Sequence, residues 1–385
     1  MPRRDHAREG VYPLSAMQQG MLYDHLSERY GGADVIQYAF ELRERVDLDR
    51  LRTAWNRVAA RHQPFRTRFR WDGVESPAQE VLPAVRLDLQ VLDWRDRTDE
   101  AREREFRELL NADRHRGFNL TAAPAMRVAL IRWTDDESRC LWSLPHILMD
   151  GRSSTVVLRD VLDLYDRGAE YEPPPAPQYS TFLEWLDTRN RDGEERYWRK
   201  LLEGVTSATP LPGNAEGASG SEPGIAQRAV RLTRDETAGV TSFAKSLGVT
   251  LNTVVQGAWA LLLSHYSGTG DVVFGAARGC RNDTVPNADE VVGLFINTLP
   301  VRARYAPNAS VRAWLHELRQ QQVDVRPYEH TPLADIQRWI GFGAGQPLFQ
   351  SVIVFDRASI DGLVHAERGT AAQSASVNHA GTAAR

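Results

Sequence analysis

Cysteine is scarce: Cys140 and Cys280 are the only two in 385 residues, and they stand far apart. No CxxC or Cys/His cluster occurs, so a structural zinc site and a disulfide framework are not expected, and two unpaired thiols fit a reducing cytoplasm. Basic charge is not in excess. With 47 Lys and Arg against 51 Asp and Glu, the formal net charge is -4, so the basic face of a nucleic-acid binder is not expected. Arg-rich stretches such as 102–107 and 114–116 are interleaved with acidic residues and read as solvated helix surface. The chain lacks any run of about 18 apolar residues, so no membrane span is expected. The opening MPRRDHAREGVYPLS has no apolar stretch behind its basic residues, so it does not read as a signal peptide. No Gly-rich loop sits between a strand and a helix, and GFGAG at 341–345 lacks that context, so no nucleotide is expected to bind. No nucleophilic serine elbow is present either.

What is present is an ordinary globular composition, 42% hydrophobic and 25% charged, long enough for two or three compact units. Ser15 can cap a helix in which Met17, Met21, Leu22 and Leu26 share a face. Residues 34–43 alternate as a strand. Residues 48–62 form an amphipathic helix with Leu51, Ala54, Trp55, Val58 and Ala59 as its buried stripe. Strands are expected at 65–70, 78–82 and 85–92, a charged helix at 98–113, two adjacent strands at 125–133 and 138–147, and a helix at 154–166. Four prolines in EYEPPPAPQ, 170–178, rule out helix and central strand there. A Gly/Pro/Ser-rich loop covers 209–225. Beyond it come a strand at 227–232, helices at 235–247 and 251–266, strands at 271–276 and 296–304, helices at 310–323 and 331–340, and a strand at 348–355. The expected class is α/β (α+β) with two similar lobes, 10–170 and 179–357, joined by a linker at 171–178. The tail, 358–385, is rich in Ala, Gly, Ser and Thr toward its end and is expected to be disordered.

The informative segment is SLPHILMDGRSS, 143–154. A strand delivers His146, Asp150-Gly151 make a turn, and Ser153 or Ser154 can cap the next helix. Such a histidine is rigidly held yet faces a cleft. Asp150 can turn back to pair with an arginine, and Gly151 permits positive φ or close approach of a ligand. H-x-x-x-D-G alone is a weak pattern.

Context strengthens it. The chain resembles the condensation-domain family of nonribosomal peptide assembly lines, within the chloramphenicol-acetyltransferase-like superfamily. The family signature H-H-x-x-x-D-G is matched from its second His onward by residues 145–151, with Pro145 in place of the first. In chain order, YPLSAMQQGMLYDHL (12–26), RHQPFRTRF (61–69), YSTFLEW (179–185), VVGLFINTLPVR (291–302), YEHTPLADI (328–336) and QPLFQSVIVFD (346–356) resemble the first, second, fourth, fifth, sixth and seventh family motifs.

The resemblance implies a V-shaped pseudo-dimer of two chloramphenicol-acetyltransferase-like lobes. Family members continue beyond the seventh motif, so a truncated second lobe is expected here. It implies an acyltransferase that joins a carrier-bound acyl or aminoacyl thioester to an acceptor amine. No cofactor is bound directly: phosphopantetheine arms come from donor and acceptor carrier proteins, and adenylation domains are candidate neighbours. His146 is the implied catalytic base. Asp150 is implied to pair with Arg66 and hold the loop, Gly151 to lie beside the substrate, and Asn297 and Thr298 to have structural or tunnel-lining roles. His62 and His330 read as packing or capping residues. Ester formation, an epimerase-like relative that moves an α-proton, and an inactive recruitment module are the alternatives. Retention of His146, Asp150 and Gly151 speaks against the last, and Pro145 speaks for it.

Overall fold

The first turn of an α-helix leaves backbone amides without partners, and this sequence places a side-chain acceptor at many of those positions. In a computed structural model, which describes residues 10–27, 34–211, 228–306, 308–343, 345–355 and 376–378, Ser15, Asp47, Thr98, Asp150, Thr233, Thr250 and Ser310 each cap a helix. The described residues divide into two compact units. The first contains those of Met1–Arg189, Arg281–Ile296 and Asp356–Thr382, and the second those of Asn190–Cys280 and Asn297–Phe355. Residues 179–189, expected in the second lobe, thus lie in the first, and so does the separate stretch 281–296.

The first unit runs β1 (Val11–Pro13), α1 (Ala16–Leu26), β2 (Val35–Leu42), α2 (Leu48–Arg61), β3 (Thr67–Arg70), β4 (Ala78–Val81), β5 (Leu89–Asp93), α3 (Asp99–Arg116), β6 (Arg127–Arg132), β7 (Ser138–Pro145), α4 (Gly151–Arg167) and α5 (Tyr179–Thr188). The order in its main sheet is β2-β7-β6-β5, and only the β5–β6 pair is parallel. β7 is buried on both faces. Cys140, Trp142 and Leu144 enter the main core with Trp55, Val58 and Phe65 of α2 and the turn after it. Leu141 packs on the other side with Phe106 of α3 and Trp133. Trp142 stacks on Tyr38 of β2 at 5.0 Å between ring centres, which helps to pin the register that pairs Val35 with Pro145. Two helices, α2 and α4, cover this face, and His62 at the end of α2 bonds Asp160 of α4 at 2.9 Å. That buried pair gives His62 the packing and capping role expected of it.

The second unit runs α6 (Glu194–Leu201), α7 (Arg234–Leu247), α8 (Leu251–Ser267), β8 (Asp271–Arg278), β9 (Asn297–Arg304), α9 (Val311–Asp324), α10 (Leu333–Trp339) and β10 (Val352–Ile353). Its sheet, β10-β8-β9, pairs β8 antiparallel to β9 and parallel to β10. Phe274 and Val272 pack on α8 and α9 on one side, and Val273 meets Trp198 and Phe349 on the other.

Four expectations change. α4 begins at 151 rather than 154, because Asp150 caps it in place of Ser153 or Ser154. Of the strand expected at 227–232, residues 228–232 are exposed and form no strand among the described residues, and Val230 is 91% exposed. The strand expected at 348–355 pairs over two residues only. Within the tail, β11 (Ser376–Asn378) adds antiparallel to β2 at the edge of the first unit's main sheet. The remainder of 358–385 and most of the 209–225 loop lie outside the described residues.

Candidate active site

His146 follows the last residue of β7 and opens a single 3-10 turn, His146–Leu148. Pro145 is tolerated before it because it stands at the very end of the ladder, opposite Val35, where a missing amide costs little. The His146 amide donates to Asp34 O at 2.8 Å, which ties the turn to the residue before β2. The ring Nδ1 lies 3.2 Å from Met149 O. A carbonyl only accepts, so Nδ1 carries the hydrogen, and a neutral ring keeps its lone pair on Nε2. Burial holds the imidazole pKa below 6.5, while the bond to Met149 and the Asp150 charge act in the opposite direction. The neutral, basic form therefore dominates near pH 7.

Asp150 anchors the other end of the turn. Oδ1 accepts from Ser153 N at 3.0 Å and from Ser153 Oγ at 2.9 Å, and so caps α4. Arg281 Nη2 reaches Oδ1 at 2.7 Å and Oδ2 at 2.9 Å, and the amide of Phe295 reaches Oδ2 at 3.1 Å. Both charges are almost fully buried, with 7% of the Arg281 side chain and 2% of the Asp150 side chain exposed, so each depends on the other. Arg281 also donates to Ala288 O and Val291 O and lies over the Phe295 ring, 4.1 Å from its centre. Asp150 N donates to Gly293 O, and Gly293 N donates to Ser153 Oγ. The stretch 281–296 is in this way stitched to the His146–Ser153 turn. Gly293 is required there: a Cβ would stand 2.1 Å from the ring of Tyr179, whose hydroxyl donates to Leu294 O.

The family resemblance points to Arg66 as the partner of Asp150, and the structure overturns that pairing. Arg66 ends the 3-10 turn Gln63–Arg66 and donates to Leu82 O, while its own carbonyl accepts from Leu82 N, so it braces the end of β4. Arg281 supplies the charge instead. Nothing in the local pattern around Arg281 marks it, since only the return of 281–296 to the first unit brings it to Asp150. Gly151 is the first residue of α4 and is not among the glycines with positive φ, so its backbone makes no special conformational demand. Asn297 and Thr298 begin β9 in the second unit. Asn297 spends both amide hydrogens on Glu329 O and Thr331 O, each at 2.9 Å, and its Oδ1 accepts from Thr298 N. That is a brace between β9 and the segment before α10.

The sequence pattern of the family described as "Condensation domain" matches residues 8–381. The chain belongs to the condensation-domain family. It is 40% identical over 365 residues to a linear gramicidin synthase of Brevibacillus parabrevis, covering 94% of this chain and 5% of that protein. It is 35% identical over 342 residues to chondramide synthase of Chondromyces crocatus, covering 87% of this chain and 8% of that one. The chain thus spans less than a tenth of the length of these curated relatives. Among solved structures, the condensation domain of monacolin K polyketide synthase superposes with a TM-score of 0.76 at 21% identity, covering 95% of this chain and 86% of that one. The first condensation domain of the calcium-dependent antibiotic synthetase gives 0.75 at 17% identity, covering 91% and 82%. These likenesses establish the mixed α/β condensation-domain fold.

Proposed function

We propose that this condensation domain joins a carrier-bound acyl or aminoacyl thioester to the amine of a second carrier-bound substrate, with His146 as general base. The observation that carries the reading is the His146–Met149 bond, which commits Nδ1 and leaves the Nε2 lone pair in a neutral ring. The attacking neutral amine must lose a proton as the tetrahedral intermediate forms or collapses, and Nε2 is the group that takes it. A positioned base contributes roughly 10²–10⁴-fold, and holding two tethered reactants together adds to that. The atoms balance without a co-reactant: the C–S bond of the donor breaks, the C–N bond forms, and the proton ends on the released thiol.

The phosphopantetheine arms belong to the carriers, so no cofactor is assigned to this chain. Donor and acceptor carrier proteins are its proposed partners, adenylation domains its proposed neighbours, and the cytoplasm its proposed location. Among the described residues no single helix is long and apolar enough to cross a membrane. Asp150, Arg281 and Ser153 are proposed as the frame of the base, with Gly151 beside the substrate. An intact frame around His146 favours an active enzyme over a recruitment module. The test is to mix the protein with loaded donor and acceptor carriers and weigh the acceptor-bound product. Extension of the acceptor by the donor acyl mass supports the reading, and wild-type yield from a His146→Ala variant overturns it.

A further inference from the structure

We propose that Gln18, on α1, is a positioning residue for His146. The proposal rests on the reading of His146 as the base, and it starts from a buried pair of carboxamides that the mechanism does not otherwise use. Gln18 and Gln79 are 1% and 3% exposed, and they bond one another.

The orientation of both amides follows from their partners. Ser15 N lies 3.0 Å from one end of the Gln18 side chain, and a backbone N–H only donates, so that end is Oε1. Gln79 Nε2 donates to Pro13 O at 2.9 Å and to the same Oε1 at 2.9 Å, which fixes the second amide. The Gln18 NH2 is then left facing two acceptors, Gln79 Oε1 and the main-chain carbonyl of Ile147, each at 3.3 Å. Ile147 is the residue after His146 and is itself buried. Its carbonyl lies within the 3-10 turn whose far end, Met149 O, accepts from His146 Nδ1.

The turn is therefore held at four points: His146 N on Asp34 O, Ile147 O under Gln18, Asp150 N on Gly293 O, and the Asp150 carboxylate under Arg281. Of these, Gln18 alone places a side chain on the peptide next to the histidine. Without it the Ile147 carbonyl is buried and unpaired, and the peptide rotates to find a donor. Rotation there moves Met149 O relative to Nδ1 and releases the ring from its single tautomer. Misplacement by about 1 Å costs on the order of 10²-fold in rate.

Gln18→Glu keeps shape but removes the donor, and Gln18→Met removes both partners. Ser15→Ala is the control: it weakens the cap of α1 without touching the turn. Histidine-labelled 15N spectra report the His146 tautomer, assigned by the loss of its signals in His146→Ala, and need no turnover. The expected result is one Nδ1–H tautomer in the wild type and in Ser15→Ala, and mixed tautomers in both Gln18 variants. With loaded carriers, kcat should fall roughly 10–100-fold in the Gln18 variants while KM for each carrier stays within about twofold. If both Gln18 variants keep the single tautomer, or lose no more kcat than Ser15→Ala at equal melting temperature, the proposal is overturned. Loss of the tautomer in a protein where His146→Ala remains active would instead overturn the base assignment and leave the positioning role standing.

Discussion

His62 is buried and His146 half-buried, and desolvation lowers the pKa of each below 6.5, for His62 against the pull of Asp160. The folded state then binds fewer protons than the unfolded chain, so stability rises with pH up to about the unfolded histidine value, near 6.5. Below that value this contribution is lost as the pH falls toward the folded-state pKa values. Two outcomes are expected. The acidic limb of kcat/KM should have its midpoint below 6.5, read from a pH–rate profile with loaded carriers. His146→Ala should lower kcat by roughly 10²–10⁴-fold while near-ultraviolet circular dichroism stays native, because the ring bonds only one main-chain carbonyl. A midpoint above 6.5 would show that the Asp150 charge, not burial, controls the ring.

Between elements, the decisive contact joins the cap of α4 to the stretch 281–296. Asp150→Ala and Arg281→Ala each strand one buried charge, at a cost of about 3–5 kcal/mol. The double variant should cost much less than the sum, and a denaturant-melting cycle measures the difference. Arg66→Ala, which removes a bond to Leu82 O and no ion pair, should lie near ~1 kcal/mol and add independently to Asp150→Ala. Gly293→Ala tests the same junction by volume. Its Cβ would collide with the Tyr179 ring at 2.1 Å, and Tyr179 is itself packed against Phe182 and Phe295. Thermal melting should register a loss of about 1–3 kcal/mol, together with slower condensation, because Gly293 O anchors Asp150 N.

For the whole molecule, the apolar surface of the second unit is the feature with consequences. Val354 is 72% exposed just past the two-residue β10, and Val255, Leu262 and Tyr266 stand exposed on α8, spaced for one side of the helix. β10 pairs with β8 over two residues only, and Val273 N of β8 is satisfied instead by Thr209 Oγ1 at 2.7 Å, so it is the exposed apolar side chains that favour association. We therefore expect the isolated chain to self-associate at micromolar concentration. Val354→Lys combined with Leu262→Lys should raise the monomer fraction in light-scattering chromatography without lowering the melting temperature. Unchanged association would place the contact elsewhere.

Local chemistry by itself determined much of this protein. Period and capping place α1, α2, α3, α7, α8 and α9, because Ser15, Asp47, Thr98, Thr233, Thr250 and Ser310 satisfy amides within their own first turns. His146 is legible because strand, turn and helix meet within one dozen residues, and the ordered motifs from 12 to 356 carry the family. Tertiary structure alone decided what depends on distant partners. Asp150 and Arg281 are separated by 131 positions, and only the passage of 281–296 into the first unit joins them. Arg66 looks equally suited to that carboxylate, since charge type does not encode direction. Residues 228–232 have a strand's composition but join no ladder among the described residues, and Ser376–Asn378 have a coil's composition but meet the edge of β2. A strand is completed by its ladder and an ion pair by its partner, and neither is written in the residues that begin it.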